Sequence, residues 1–217
     1  MEDYLKTIYQ LSRGTDGRVE NSRIAEQLDV SPPSVSTMLK RLAERELIDH
    51  EEYRGVLLTP SGETVALEVI RRHRLLESFL SKHLDYDLSE VHDEADRLEH
   101  HISDRLVRQI AEVLDHPTTD PHGDPIPAPD SEPPEERPTT RLTEFDEGET
   151  VRIERIGDQD PDVLSSLATR GLTPGTPVDI VGIDPFGVFT LRPENQTEPV
   201  SLPNDVARDL WVRAVGG

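Results

Sequence analysis

The sequence predicts a mainly α-helical chain that ends in a small β domain: a winged helix-turn-helix, a second helical region and a C-terminal β-barrel. Three observations carry that reading. Apolar residues recur at helical spacing, with capping residues between the runs, as far as Leu114. Residues 115–140 then hold 8 of the chain's 18 prolines among acids and threonines, the composition of a linker. Beyond them, apolar and polar residues alternate in short runs separated by glycine-containing turns, as half-buried strands do. The divisions that follow are 1–60, 61–129, a Pro- and acid-rich linker at 130–140, and 141–217.

Taken in order, Tyr4, Leu5, Ile8, Tyr9 and Leu11 mark a first helix, which Gly14 and Gly17 interrupt. Asn21 or Ser22 is suited to cap a short helix carrying Ile24, Ala25 and Leu28. Asp29-Val30-Ser31 makes a tight turn. Ser31 caps the next helix, which opens on Pro32 and Pro33, where a missing N–H costs little, and turns Val35, Met38, Leu39 and Leu42 inward. Leu47–Glu51 and Val56–Thr59 flank Tyr53-Arg54-Gly55 as a hairpin. A long helix runs from Thr59 or Ser61 to about His83, Ser89 caps another through His101, and Ser103 caps a third ending near Leu114. In the β domain Val151/Ile153, Val178/Ile180, Val188 and Val200/Leu202 face inward. Turns fall at Pro174-Gly175 and Pro185-Phe186-Gly187, and Asp162–Arg170 forms a short helix.

Composition narrows the chemistry. With no cysteine, disulfides, thiolate metal sites and cysteine nucleophiles are excluded. No run of about 18 apolar residues and no basic-then-apolar leader occurs, so a cytoplasmic chain without membrane partners is expected. The net charge of −21 is unusual for a binder of nucleic acid, whose footprint is normally basic. Residues 1–60 carry 11 acids against 8 Lys and Arg, so most of the excess lies beyond them. Acidity in every region fits the solubilising surface of a protein from a halophilic archaeon better than it fits a single acidic tail.

Two constellations point to function. Asn21–Arg45 has the proportions of a helix-turn-helix, whose second helix must present short polar side chains to the DNA major groove. Ser31, Pro33, Ser34, Ser36 and Thr37 suit base edges and phosphates, Lys40 and Arg41 suit the backbone a turn later, and Arg54 suits a wing touching an adjacent phosphate. An ordinary helical hairpin with a solvated face would share that spacing. Seven of the eight histidines lie between residues 73 and 122. His73 and Glu77 are i,i+4, while His92, Asp96, Glu99 and His100 fall at i, i+4, i+7 and i+8, so each set shares a helix face. A solvated acidic face is the bland alternative, and the interleaved histidines argue against it. Oxygen and imidazole donors favour Mn(II) or Fe(II), with Zn(II) or Co(II) able to occupy such a site.

Together these residues resemble the diphtheria-toxin-repressor family of iron- and manganese-dependent regulators. The likeness runs through residues 1–129, in Asp3-Tyr4-Leu5-Lys6-Thr7-Ile8-Tyr9, the helix-turn-helix, His73-Arg74-Leu75-Leu76-Glu77, Val91 to His100, and Pro121-His122-Gly123-Asp124-Pro125-Ile126-Pro127. Residues Arg170 to Thr176 are similar to the SH3-like barrel of ferrous-iron transport protein A. The resemblance implies a homodimeric repressor of metal-homeostasis genes that binds a palindromic operator when a divalent cation is present, with no catalytic role. It implies a primary metal site at Asp3, Asp96, Glu99 and His100, and an ancillary site at His73, Glu77 and His92, with Gln159 and Asp162 as the nearest barrel ligands. Carboxylates at Asp3 and Asp96, where iron-responsive members usually carry Met and Cys, favour Mn(II). Lys6, where manganese-responsive members often carry Glu, disfavours a second ion directly beside the first.

Two other classes share parts of the pattern. A metallohydrolase would need an open coordination position and a general base, and no H-E-x-x-H or phosphate-binding glycine pattern is present. A regulator sensing an organic ligand would need an aromatic-lined pocket, which four Phe, four Tyr and one Trp supply poorly, so no organic ligand is expected. Dimerisation through residues 60–114 is expected because Leu67, Val69, Ile70, Leu106, Val107 and Ile110 exceed what one small winged domain can bury.

Overall fold

The computed structural model describes residues 1–13, 17–51, 54–129, 133–134, 138–157, 160–194 and 196–215. The chain divides into two compact units, Met1–Arg72 with Pro127–Pro134, and His73–Ile126 with Glu135–Gly217.

The first unit holds α1 (Glu2–Ser12), α2 (Asn21–Gln27) and α3 (Pro32–Glu44), then β1 (Ile48–Glu51) and β2 (Gly55–Leu58). Leu5, Ile8, Ile24, Val35, Leu39, Leu42 and Val56 are buried in one core, because the helical period puts each on the inner face of its element. The wing pairs Ile48 with Leu58 through Glu51 with Gly55, and Val19 bridges Val56 on its other edge. Gly55 has φ +91°, and a Cβ there would lie 2.5 Å from the Val19 carbonyl oxygen, so only glycine fits beside that bridge. Tyr53 and Gly14 lie outside the described residues.

Three helix starts differ in how they are capped. α2 begins one residue earlier than a cap at Asn21 requires: Glu20 is its N-cap, and Ser22 Oγ donates to the Glu20 carboxylate at 3.3 Å. Ser31 is the N-cap of α3 by backbone position, but its hydroxyl meets Ser34 Oγ at 2.9 Å and accepts no helix N–H. Thr59 caps the 24-residue α4 (Pro60–His83), its Oγ1 accepting from the Gly62 N–H at 3.1 Å.

The second unit continues with α5 (Val91–Leu98) and α6 (Asp104–Val113). α5 starts later and ends earlier than expected. Glu90 rather than Ser89 is its N-cap, and residues 99–101 form a turn instead of a further helical turn. Ser103 caps α6 as its sequence requires, accepting from Leu106 N–H at 3.3 Å. Leu75, Leu76, Leu80, Val91, Ala95, Ile110 and Leu114 close the helical core of this unit.

Two expectations about packing are corrected. The linker composition begins at residue 115, yet residues 117–127 are packed: Ile126 is 7% and Asp120 8% exposed, and Thr119 bridges Pro125. Prolines without N–H groups cost nothing in a stretch whose polar atoms are satisfied by a few specific bonds. Likewise Leu67, Val69, Ile70, Val107 and Ile110 are all buried within the chain itself, so they do not call for a second copy. Of that set only Leu106 stays exposed, at 44%.

The C-terminal β domain is a six-stranded antiparallel sheet in the order β3-β8-β4-β5-β6-β7. Its strands are β3 (Thr140–Arg141), β4 (Thr150–Ile156), β5 (Pro177–Ile183), β6 (Phe189–Pro193), β7 (Val200–Leu202) and β8 (Leu210–Ala214), with α7 (Pro161–Thr169) and α8 (Asn204–Arg208) between strands. Val151, Ile153, Val178, Ile180, Leu191, Leu202 and Val212 bury one face. The parity expected for Val188 is off by one. It precedes β6, and Phe189 and Leu191 point inward instead. α8 and β8 were not apparent from alternation alone.

Candidate metal centre

α4 positions His73 and Glu77 one turn apart on the same face, and α5 positions His92 and Asp96 likewise. Such stripes in packed helices would ordinarily be apolar. Here His73, Glu77 and Glu99 are 5%, 2% and 1% exposed. Buried charge persists only where it is paired, and these groups pair with one another. His73 Nδ1 lies 2.7 Å from Glu99 Oε2 and 3.2 Å from Asp96 Oδ1, and its Nε2 lies 3.0 Å from Glu77 Oε1 and 3.1 Å from His92 Nδ1. His92 Nδ1 is in turn 3.2 Å from Glu77 Oε1, and the two imidazole rings meet edge to face, 4.8 Å between centroids. His100 Nε2 lies 3.4 Å from Glu99 Oε1.

Electrostatics follow from this crowding. Burial opposes charge on His73, but hydrogen bonds to Asp96, Glu77 and Glu99 outweigh it and raise the ring to about 10. Burial likewise works against ionised Glu77, yet His73 and His92 hold the carboxyl far below its ordinary range. The hydrogen bond to Glu77 raises His92. Without a cation, a proton on His73 therefore compensates the buried carboxylates.

His122 stands beside this group, although sequence reasoning gave it no role. It stands in the loop after α6, half-buried, with Nε2 3.9 Å from Glu77 Oε1 and without a hydrogen-bond partner on that nitrogen. Burial lowers its ring from the ordinary histidine value, which favours the neutral form. Asp120, whose carboxyl is raised by burial and by the nearby charges of Glu77 and Asp124, closes the loop by accepting the N–H groups of His122 and Asp124, both at 2.9 Å. The motif Pro121 to Pro127 was visible as a resemblance. What it lacked was any local sign that one of its side chains returns to Glu77.

The donors fit a divalent cation. Metal–ligand bonds of about 2.1 Å place neighbouring ligand atoms roughly 3.0–3.4 Å apart, and the ligand atoms of His73, Glu77 and His92 are 3.0–3.2 Å apart. Beside them the His122 imidazole, with no partner on Nε2 and its neutral form favoured, suits a metal ligand. His73, Asp96 and Glu99 form a second such group in this unit. Asp162, in the first turn of α7, has its N–H held by Asp160 and is not brought to either group. Asp3 lies in the first turn of α1, exposed, in the other unit. Gln159 lies outside the described residues.

In the first unit, Ser31, Pro33, Ser34, Ser36, Thr37, Lys40 and Arg41 are all exposed on α3. Ser36 and Thr37 donate to the carbonyls of Pro32 and Pro33, at 3.1 and 2.9 Å. Tyr4 with Pro33, Ser34, Thr37, Met38 and Arg41 lines a surface cleft beside this face. In the wing Arg54 is exposed and paired at 2.9 Å with Glu51, which Arg18 also contacts, and the two arginines hold the Glu51 carboxyl below its ordinary value.

The comparisons agree over the whole chain. Residues 1–56 match the family described as iron dependent repressor, N-terminal DNA binding domain. Residues 59–128 match iron dependent repressor, metal binding and dimerisation domain, and residues 140–214 match the FeoA domain. The diphtheria toxin repressor of Corynebacterium efficiens is 35% identical, covering 100% of this chain and 96% of its own length. The iron-dependent repressor IdeR of Mycobacterium tuberculosis is 34% identical, covering 99% and 96%. Among solved structures, a manganese-dependent transcriptional repressor in complex with manganese superposes with a TM-score of 0.88 at 36% identity, covering 99% of both chains. ScaR with bound Cd2+ superposes at 0.79 with 36% identity over 99% of both chains. These relatives are repressors, not enzymes, which removes the hydrolase reading. The chain belongs to the diphtheria-toxin-repressor family of metal-dependent transcriptional repressors.

Proposed function

We propose that the protein represses metal-homeostasis genes, with Mn(II) favoured over Fe(II) as co-repressor, by binding a palindromic operator as a homodimer. The Mn(II) preference rests on the resemblance, through the carboxylates Asp3 and Asp96, and one observation carries the divalent-cation site itself. Glu77, a buried carboxylate, has imidazole nitrogens of His73, His92 and His122 at 3.0, 3.2 and 3.9 Å, and the chain has no cysteine to offer a softer donor. His73, Glu77 and His92 take one cation, and His122 completes its ligands from beside them. Asp3, Asp96, Glu99 and His100 take another, an assignment that rests on the sequence resemblance. Lys6 keeps a further ion from settling directly beside it.

The division of labour follows the chain: residues 1–60 read DNA, 61–129 bind metal and pair with a second copy, and 141–217 form the barrel. The cation replaces the proton on His73 as the compensating charge among Glu77, Asp96 and Glu99, so occupancy of the site is an exchange of one positive charge for a larger one. On α3, Ser34 and Thr37 face base edges while Lys40 and Arg41, with Arg54 from the wing, face phosphates. An acid-rich, halophilic surface explains why so few cations serve this task.

Mobility shifts on the promoter of the chain's own gene test the proposal, with Mn(II), with anaerobic Fe(II) and with chelator. Binding is expected with Mn(II) at a lower midpoint than with Fe(II), and none with chelator or in His73→Ala. Binding that survives chelation would falsify the reading.

A further inference from the structure

The loop that carries His122 is held from two sides. From α4, Arg74 reaches Asp120 Oδ2 at 3.4 Å and Asp124 Oδ1 at 3.3 Å, and it donates to the Pro125 carbonyl. From the β domain, the Ile156 N–H donates to the His122 carbonyl at 2.9 Å, and Arg155 Nη1 meets the same Asp124 Oδ1 at 3.4 Å. Between these contacts Gly123, at φ +90°, lies so close to β4 that a Cβ would stand 1.9 Å from the Glu154 carbonyl oxygen. The Arg155 guanidinium itself sits 4.6 Å from the ring centroid of Trp211 on β8, which fixes a side chain that would otherwise be free.

We propose that Arg155 is a positioning residue for the cation site: from its place over Trp211 it holds Asp124, and with it the loop that presents His122 to Glu77. The inference rests on the reading that His73, Glu77, His92 and His122 share one cation. Metal bonds tolerate errors of only about 0.2 Å, and His122 belongs to no helix or strand, so its ring is placed by whatever holds the loop. The Arg155 side chain is 31% exposed, so its ion pair adds little to folding. What it contributes is order, which otherwise must be bought at the moment of metal binding. The β domain thereby acts on the metal site through Arg155.

The test uses the full chain with Mn(II) alone, followed by calorimetry, by Mn(II) electron paramagnetic resonance and by fluorescence of Trp211, the single tryptophan. His122→Ala identifies the binding class that contains His122. Arg155→Leu is expected to weaken that same class by roughly tenfold, as partners of ligand groups do. It should leave the other class and the metal-free melting temperature unchanged, and it should abolish the change in Trp211 emission on adding Mn(II). Arg155→Lys keeps the charge without the planar stack and recovers part of the affinity. Wild-type Mn(II) binding in Arg155→Leu, or a loss matched by a lower metal-free melting temperature, overturns the inference while the site stands. If His122→Ala leaves every class of Mn(II) binding intact, the reading of the site falls and the inference with it.

Discussion

On α3, Ser34, Ser36, Thr37 and Lys40 face outward, whereas on α4 His73 and Glu77, equally polar, are 5% and 2% exposed. The first group is open to solvent and needs no distant protein partner. Ser36 and Thr37 satisfy themselves on carbonyls of their own helix. The second group lost its water on folding and is stable only as a set, each member within 3.2 Å of another. The difference separates two kinds of binding surface. A face that meets phosphates and base edges is finished by its ligand and can be changed without harm to the fold. A buried cluster is part of the fold, so its ligand and its stability are linked.

Glu77→Gln should break that contrast most severely. It keeps the volume but removes the carboxylate shared by three imidazoles, and Mn(II) affinity at this site is expected to fall by roughly 100-fold or more, beyond the loss typical of outer partners. Mn(II) resonance measured with His92→Ala in parallel checks it. Unchanged affinity in both would show that the cluster is structural only.

The pH profile comes next. His73 is raised from an ordinary 6.5 to about 10 in the fold. Its contribution to metal-free stability is therefore complete below about 6.5 and is lost as pH rises through 10. Metal-free melting temperatures should decline across that interval, while the stabilisation gained on adding Mn(II) should grow, because the ion displaces the same proton. Melting scans from pH 6 to 10, with and without Mn(II), decide it; a flat metal-free profile would count against a charged His73.

Thr37→Ala should behave in the opposite way. Stability stays within about 0.5 kcal/mol, as for exposed sites generally, while operator affinity in Mn(II) drops by about tenfold if a base-edge contact is lost. Denaturant unfolding and anisotropy on the same preparation separate the two, and equal DNA affinity would move the reading face elsewhere.

The smallest effect concerns Glu51. It occupies Arg18 and Arg54 in the wing, so Glu51→Gln should tighten DNA binding a few-fold at low salt and not at all near 1 M KCl, where the Debye length is about 3 Å. Wild-type specific binding is expected to persist at that salt, since screening weakens repulsion by a chain of net charge −21. A steep ordinary loss of affinity with salt would contradict the halophilic reading alone.

What the sequence determined by itself was everything that repeats locally. Helical period placed α1, α3, α4 and α6. The His and carboxylate spacings announced the stripes of α4 and α5, and alternation located β4, β5 and β7. Ser103 capped α6 because a cap needs only its own three following residues. Tertiary structure decided what depends on distant neighbours. Pairing of β4 with β8, some sixty residues on, set which face each strand buries, and its signal is invisible in either strand alone. The proline-rich run after α6 reads as linker by composition, yet Arg74 and β4 hold residues 120–125 as a packed loop. His122 reaches Glu77 for the same reason. A ligand set is defined by atoms that meet, and 44 residues of chain lie between these two before the fold joins them.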